Sequence, residues 1–301
     1  MCVCSNTRFL AEDMTETDGV EPLASSVCPG RFAGRIVLVT GGTSGIGEAA
    51  ARRFHAEGAS VAISGRNAEK GERVAASLNS IREGSCLFVV CDHSTRAGCE
   101  ACVKAVVARF GTIDVLFNNA GIVITETMED TSPEVFRKLQ ETNVNSVFDM
   151  SQLALPYLRK KSKKRSKGSR NGGGVIINNA SDWGIIGADC ALGYCVSKAS
   201  IVMMTKCLGL EEASNGVRVC AVCPGNTFVE RWVQEARETG DFPPACSDAE
   251  IRQCLKTDSS LPLGRPALPR EIAAVVCFLA SDDASYMTAC AVPVDGGVTA
   301  S

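Results

Sequence analysis

The stretch VTGGTSGIGEAA, Val39 to Ala50, follows a β-branched run and opens a helical pattern, with Gly41, Gly45 and Gly47 in the turn between them. Glycines at such a turn let backbone N–H groups come close to a pyrophosphate, and the positive amino end of the next helix favours its charge. The pattern predicts a dinucleotide site built from Gly41, Thr43, Ser44, Gly45, Ile46 and Gly47.

Outward from this turn, short apolar runs alternate with longer helical patterns: RIVLVT, a helix from Ile46, SVAISG, a helix near Ala68 to Arg82, SCLFVVCD, and a helix near Thr95 to Phe110. Next come DVLFNNAG, one long helix from Pro133 to Arg159, GVIINNAS, a helix through Tyr194, VRVCAVCP, a helix from Pro269 to Ala280, and CAVPVDGG. Continuous apolar strands separated by helices predict a parallel sheet covered on both faces. The fold class is α/β, a doubly wound Rossmann sheet in one domain over residues 34–301. Residues 1–33 are predicted to be a flexible extension, residues 159–174 a basic loop insertion, and residues 226–268 a lid over the carboxyl edge. Phe228, Trp232 and Phe242 are its expected apolar substrate contacts.

Composition removes several function classes. The longest apolar run, Ile272 to Ala280, has nine residues, far below the roughly 20 that span a bilayer. The first 30 residues carry one Arg and five carboxylates, which fits neither a secretory signal nor a basic transit peptide. With 16 cysteines spread through apolar segments, reduced thiols and a cytoplasmic location are expected. His55 and His93 are the only histidines and stand in no hydrolase or zinc arrangement, so no metal site is assigned. Arg159 to Arg170 holds eight basic residues and no acid, which leaves 23 basic against 34 acidic residues elsewhere. An acidic body of that kind argues against a general nucleic-acid binder.

A second motif lies in GYCVSKAS, Gly193 to Ser200, where Tyr194 and Lys198 share a helix face. A cation near a phenol favours the phenolate and brings a group that normally titrates near 10 toward neutral pH. Tyr157 and Lys161 repeat the spacing beside the basic run, so the motif alone is ambiguous. The strand before the second helix ends in SGRN, with Gly65 where a ribose-binding acid would stand and Arg66 after it. This pattern favours NADP(H) over NAD(H), with Asp92 at the adenine edge.

The spacing Thr-Gly-x-x-x-Gly-x-Gly and the Tyr-x-x-x-Lys pair together resemble the short-chain dehydrogenase/reductase family, whose pattern covers nearly all of Arg35 to Gly297. The resemblance places Asn119, Ala120 and Gly121 of NNAG beside the cofactor and implies Asn143 as the catalytic Asn. Ser181 precedes Tyr194 by 13 residues, the family's spacing, whereas Tyr157 has Val144 at that offset. It implies that Tyr194 exchanges the proton with the substrate, Ser181 holds the substrate oxygen, Lys198 binds the nicotinamide ribose and favours the phenolate, and Asn143 positions a water. Pro224 and Gly225 match a further cofactor segment, but Val229 stands where the family carries a Thr, so Thr227 is the substitute anchor. The resemblance implies an NADP-preferring alcohol and ketone oxidoreductase acting on a small-molecule substrate, assembled as a homotetramer or homodimer. The fold equally suits a non-catalytic NADP(H)-binding regulator.

Overall fold

The computed structural model describes residues 27–163 and 173–301. Seven strands form a single sheet in the order β3-β2-β1-β4-β5-β6-β7, every neighbouring pair parallel. They are β1 (Ile36–Thr40), β2 (Ser60–Gly65), β3 (Cys86–Val90), β4 (Val115–Asn118), β5 (Val175–Asn179), β6 (Arg218–Pro224) and β7 (Cys290–Val294). The connecting helices are α1 (Gly45–Ala56), α2 (Ala68–Ile81), α3 (Arg96–Phe110), α4 (Pro133–Gln140), α5 (Ser146–Lys163) and α6 (Leu192–Ala213). The later ones are α7 (Arg231–Thr239), α8 (Asp248–Leu255) and α9 (Pro269–Ala280).

Side chains alternate across the central strands as a pleat requires. Val37, Val39, Val61, Ile63, Val115, Phe117, Val175 and Ile177 enter one core with residues of α1, α2 and α9. Leu38, Ala62, Leu116 and Ile176 enter the other with residues of α3 and α5. Both faces are therefore apolar, each fully buried side chain contributing about 1.5–3 kcal/mol, and the seven runs read as uninterrupted hydrophobic stretches. The order of strands reverses between β1 and β4, which opens the crevice where such sheets bind ligands.

Three expectations change. Phe32 is 2% exposed, packs edge-on against Phe54 with ring centroids 4.9 Å apart, and donates its N–H to the Glu57 carbonyl. Arg31 pairs with the fully buried Glu57, which Arg53 also holds, so the domain begins before residue 34. The long helix from Pro133 is broken by a π turn at Glu141–Asn145, between α4 and α5. Finally, α5 runs to Lys163, so the basic run starts as helix rather than loop, and Arg159 forms an ion pair with buried Glu212. Residues 164–172 of that run, and residues 1–26 of the amino-terminal segment, lie outside the described residues.

Candidate active site

The turn after β1 is built for close backbone approach. Gly41 and Gly45 have φ of +64° and +53°, in the left-handed region that glycine tolerates. A Cβ on Gly47 would lie 2.2 Å from the Gly41 carbonyl oxygen and 2.5 Å from Asn119 Nδ2. Ser44 caps α1 through extended backbone, φ −164°, and its side chain makes no capping hydrogen bond, so the first-turn N–H groups keep their capacity for an anion. Ser44 is exposed, while Ile46 packs against the core and offers only its backbone. Asn119 locks the turn: its Nδ2 donates to the carbonyls of Thr40 (3.0 Å) and Gly41 (3.1 Å). The Thr40 hydroxyl in turn accepts the N–H groups of Asn119 and Ala120. This cradle, which a Cβ would fill, fits the pyrophosphate of a dinucleotide.

At the adenine end, a Cβ on Gly65 would come within 2.9 Å of Thr43 Cγ2, so a side chain there has to push the Thr43 side chain aside. Arg66 is exposed just beyond. Asp92 is also exposed and accepts from the Ser94 N–H (3.0 Å) and hydroxyl (2.8 Å). Those bonds, chiefly the backbone one, hold its carboxyl below the usual range, with a smaller contribution from Arg66.

Paired asparagines on β4 and β5 fasten the middle of the site. Asn118 lies in register with Asn178 and donates to its Oδ1 (2.9 Å) and to Ser151 (3.1 Å), while Asn178 donates to Thr205 (2.9 Å). Asn179 donates to Asn119 Oδ1 (2.9 Å), which joins the strand carrying Ser181 to the phosphate loop. The adjacent Asn-Asn doublets in the sequence are thus one cross-strand network, although Asn118 Oδ1 and Asn179 Oδ1 are buried without a hydrogen-bond partner among the described residues.

Ser181 follows β5, and Tyr194 and Lys198 lie in the first two turns of α6. Lys198 is 5% exposed, donates from Nζ to the Asn179 carbonyl (2.8 Å), and sits 5.5 Å from the Tyr194 ring centroid. Burial brings its ammonium down to about 8. Burial also pushes the Tyr194 phenol up to about 12, opposed by the Ser181 hydroxyl and reinforced by Asp182. Desolvation of the phenol is the largest influence on it, and the help expected from Lys198 comes together with the charge of an oxidised nicotinamide. Tyr157, the other candidate, packs from α5 against the core on the α3 side of the sheet.

Asn143 stands on the π turn and is fully buried. Its Oδ1 accepts the Ile122 N–H (2.8 Å), and its Nδ2 donates to the Ile122 carbonyl (2.9 Å) and the Ser197 hydroxyl (3.1 Å). Its amide thus clamps the loop after β4 to α6. Gly121 is boxed in beside it: a Cβ there would lie 3.2 Å from Asn143 Oδ1 and 3.8 Å from Lys198 Nζ.

At the far end, Pro224 closes β6 and Gly225 leaves no room for a side chain, since a Cβ would meet Asp295 at 2.9 Å. Thr227 is 8% exposed and turns its hydroxyl back onto the Gly225 carbonyl (3.0 Å). Val229 leans over the phosphate loop, its Cγ1 3.3 Å from where a Gly45 Cβ would sit. The excursion from 226 to 268 is tied at its neck by Phe228 N–H to Ala267 O and Ala267 N–H to Asn226 O, both 2.8 Å. Phe228, Trp232 and Phe242 form a small core of this excursion with Val233, Ala236 and Ile251, so Phe228 in particular serves packing rather than substrate contact.

Three features escape a residue-by-residue reading. Asp182, directly after Ser181, is buried and bonded to it, and the acid beside the Ser was the available signal. Trp183 stacks edge-on with Tyr194 at 6.0 Å. Buried His93 bonds Ser64 (2.9 Å) beneath the adenine end, and nothing in the sequence pairs these two.

Comparison with known proteins agrees with this geometry. Residues 41–299 match the family model described as enoyl-(acyl carrier protein) reductase. The chain is 36% identical over 274 residues to meso-2,3-butanediol dehydrogenase of Serratia marcescens, covering 90% of this chain and 97% of that one. It is 35% identical to L-fucose dehydrogenase of Bos taurus, covering 89% and 90%. The crystal structure of levodione reductase superposes with a TM-score of 0.77 at 33% identity, covering 90% of this chain and 99% of that one. A structure described as a short chain dehydrogenase/reductase family protein gives 0.74 at 32% identity.

Proposed function

The chain belongs to the short-chain dehydrogenase/reductase family, and from that membership we propose that it interconverts a secondary alcohol and a ketone using NADP(H). The observation that carries this reading is the placement of Tyr194, Ser181 and Lys198 together at the carboxyl edge of β5, beside the glycine cradle after β1. A nicotinamide cofactor, when bound, supplies hydride exchange and, in its oxidised form, a second positive charge near the phenol. The rest falls to this chain. Tyr194 moves a proton to or from the substrate oxygen, and Ser181 hydrogen-bonds that oxygen as charge develops on it. Lys198 lies against the phenol and, with an ammonium near 8, remains mostly charged at neutral pH. It also holds the nicotinamide ribose. Asn143 keeps the loop after β4 fixed against α6.

The phosphate-loop residues Gly41, Thr43, Ser44, Gly45, Ile46 and Gly47 hold the pyrophosphate, chiefly through backbone. Asn119, Ala120 and Gly121 border the ribose, and Pro224, Gly225 and Thr227 the carboxamide end. NADP(H) is preferred because Arg66 offers a guanidinium for a 2′-phosphate and Gly65 leaves no carboxylate to repel it. Asp92, partnered by Ser94, faces the adenine.

The segment 226–268 acts as the lid that selects the substrate. Assembly as a homotetramer or homodimer is supported by apolar side chains exposed on α6, among them Met203 and Leu210, and by Phe148 on α5. Residence in the cytoplasm is proposed from the 16 cysteines spread through apolar segments of the sequence. No described helix is long and apolar enough to cross a membrane.

The test is a panel of carbonyls and alcohols, including acetoin and meso-2,3-butanediol, assayed with NADPH, NADH and their oxidised forms. The expected result is turnover of at least one pair with preference for the phosphorylated cofactor. Tight cofactor binding with no turnover of any panel member would instead make the chain a non-catalytic NADP(H)-binding protein.

A further inference from the structure

The residue after Ser181 is an acid, and its surroundings give it work to do. Asp182 begins the 3-10 turn Asp182–Gly184 and is 5% exposed. Its Oδ1 accepts the Ser181 hydroxyl (2.8 Å) and the Trp183 N–H (2.8 Å). Ser181 Oγ also accepts the Trp183 N–H (3.2 Å) and lies 3.5 Å from the Pro224 carbonyl.

A hydroxyl has one hydrogen and two lone pairs, whereas an ionised carboxyl only accepts. With Asp182 ionised, the single Ser181 hydrogen is committed to Oδ1 and one lone pair to Trp183. What remains for a substrate oxygen is a lone pair. A ketone, which only accepts, cannot use it, and an alcohol whose one hydroxyl hydrogen goes to Tyr194 gains no bond from it either. With Asp182 protonated, the acid donates to Ser181 and the Ser181 hydrogen is free to turn toward a ketone oxygen.

We propose that Asp182 is a positioning residue that sets the hydrogen-bond polarity of Ser181, holding its hydrogen away from the substrate oxygen when ionised and freeing it to donate there when protonated. The proposal rests on the alcohol and ketone reading of the site. It also assigns Asp182 a second effect, because its negative charge beside the phenol disfavours the Tyr194 phenolate.

Taken with burial, the groups facing Asp182 favour its neutral form. They are Ser181 and Trp183 on its own turn, Tyr194 from α6, and Asp295 after β7. Cys223 at the end of β6 feels Lys198, Asp182 and Asp295 in turn. Burial raises the Asp182 carboxyl, the bonds from Ser181 and Trp183 oppose this, and Asp295 adds repulsion. Asp295 itself stays ionised: burial is outweighed by bonds from the Thr299 hydroxyl and N–H and the Gly297 N–H. A fixed anion thus stands beside a carboxyl that is pushed toward its neutral form.

The experiment uses Asp182→Asn, which keeps the shape and removes the charge, and Asp182→Glu, which keeps the charge. The first readout needs neither substrate nor cofactor: ultraviolet titration of tyrosinate in the purified protein. The chain has three tyrosines, and subtraction of the Tyr194→Phe curve isolates the one of interest. Tyr194 is expected to titrate at lower pH in Asp182→Asn than in the wild type, and in Asp182→Glu near the wild-type value. The second readout is the KM split for meso-2,3-butanediol and acetoin at mildly alkaline pH. In Asp182→Asn the KM of the ketone falls and that of the alcohol changes little, so their ratio shifts by about tenfold, the size of one hydrogen bond to a charged group. The values of kcat/KM in the two directions change together, because the overall equilibrium fixes them at constant cofactor affinity. An unmoved tyrosine titration overturns the proposal, as does a loss of kcat with the KM ratio unchanged, which marks Asp182 as a turn anchor only. A shifted titration with no turnover of either compound supports the charge effect and counts against the alcohol and ketone reading instead.

Discussion

The two halves of the crevice do their work with different material. Around β1 and β2 the functional groups are backbone amides and missing side chains, with Gly41, Gly45, Gly47 and Gly65 clearing space that a single Cβ would close. Around β5 and α6 they are polar side chains, Ser181 with Asp182, Tyr194 and Lys198, and burial has moved the proton affinities of the last three. Binding a pyrophosphate needs many weak donors at fixed positions, which the backbone supplies without titrating. Proton transfer needs groups that titrate, and those are expensive to bury unless each has a partner. The cofactor half is therefore expected to fail by steric change and the catalytic half by chemical change.

Substitutions can break that division. Tyr194 apart, the largest effect is expected from Ser181→Ala, which removes the hydrogen bond to the substrate oxygen and lowers kcat by about 10²–10³-fold. NADPH affinity, read by fluorescence quenching, should stay unchanged; a parallel loss of affinity would show that the halves are not separate.

The cofactor half holds one titrating exception. Buried His93 under Ser64 is brought down to about 4, mainly by burial, from an ordinary value of 6.5. Its neutral form is the folded one, so its contribution is complete above the unfolded value and is lost as pH falls toward the folded one. From about pH 7 to pH 5 this costs about 2 kcal/mol of stability. Urea midpoints of wild type and His93→Gln at the two pH values check this: the variant should lose less, and equal slopes would remove His93 from the account.

Gly47→Ala sharpens the steric side. Its Cβ, 2.2 Å from the Gly41 carbonyl, forces the turn apart at a cost of about 1–3 kcal/mol. Cofactor affinity should fall by roughly tenfold to a hundredfold, with kcat at saturating cofactor nearly kept. The smallest effect belongs to Arg66→Ala, exposed at the end of β2. The ratio of NADPH to NADH affinity should drop by about tenfold, one charge-assisted bond to the 2′-phosphate. An unchanged ratio would return the cofactor preference to an open choice.

The same division decides what the sequence made legible. Strands buried on both faces appear as β-branched runs, and β1, β2 and α9 lie where those runs and the periodicity end. Glycine spacing carries the phosphate loop, because a steric requirement fixes residue identity directly. Spacing to Ser181 separated Tyr194 from Tyr157. The misses involve long-range burial. Phe32 looked like part of an acidic tail, since one aromatic in a short segment gives no period, and only Phe54 and Glu57 show its place. The π turn at Glu141–Asn145 left the helical pattern unbroken, and it is the bonds from Asn143 to Ile122 that reveal it. The burial of the Tyr194 phenol was also hidden: a Lys four residues on is visible in sequence, while desolvation is a property of the packed site. Phe228 and Trp232 suggested a substrate pocket, but they pack edge-on at 6.1 Å within the lid's own core.

The central claim is that Tyr194 moves the proton in a site whose cofactor half is independent of it. Its most direct test is steady-state turnover of Tyr194→Phe on the best carbonyl of the panel, with NADPH affinity measured on the same preparation. The account predicts a fall in kcat of about 10²–10⁴-fold with affinity retained; wild-type turnover in this variant would contradict it.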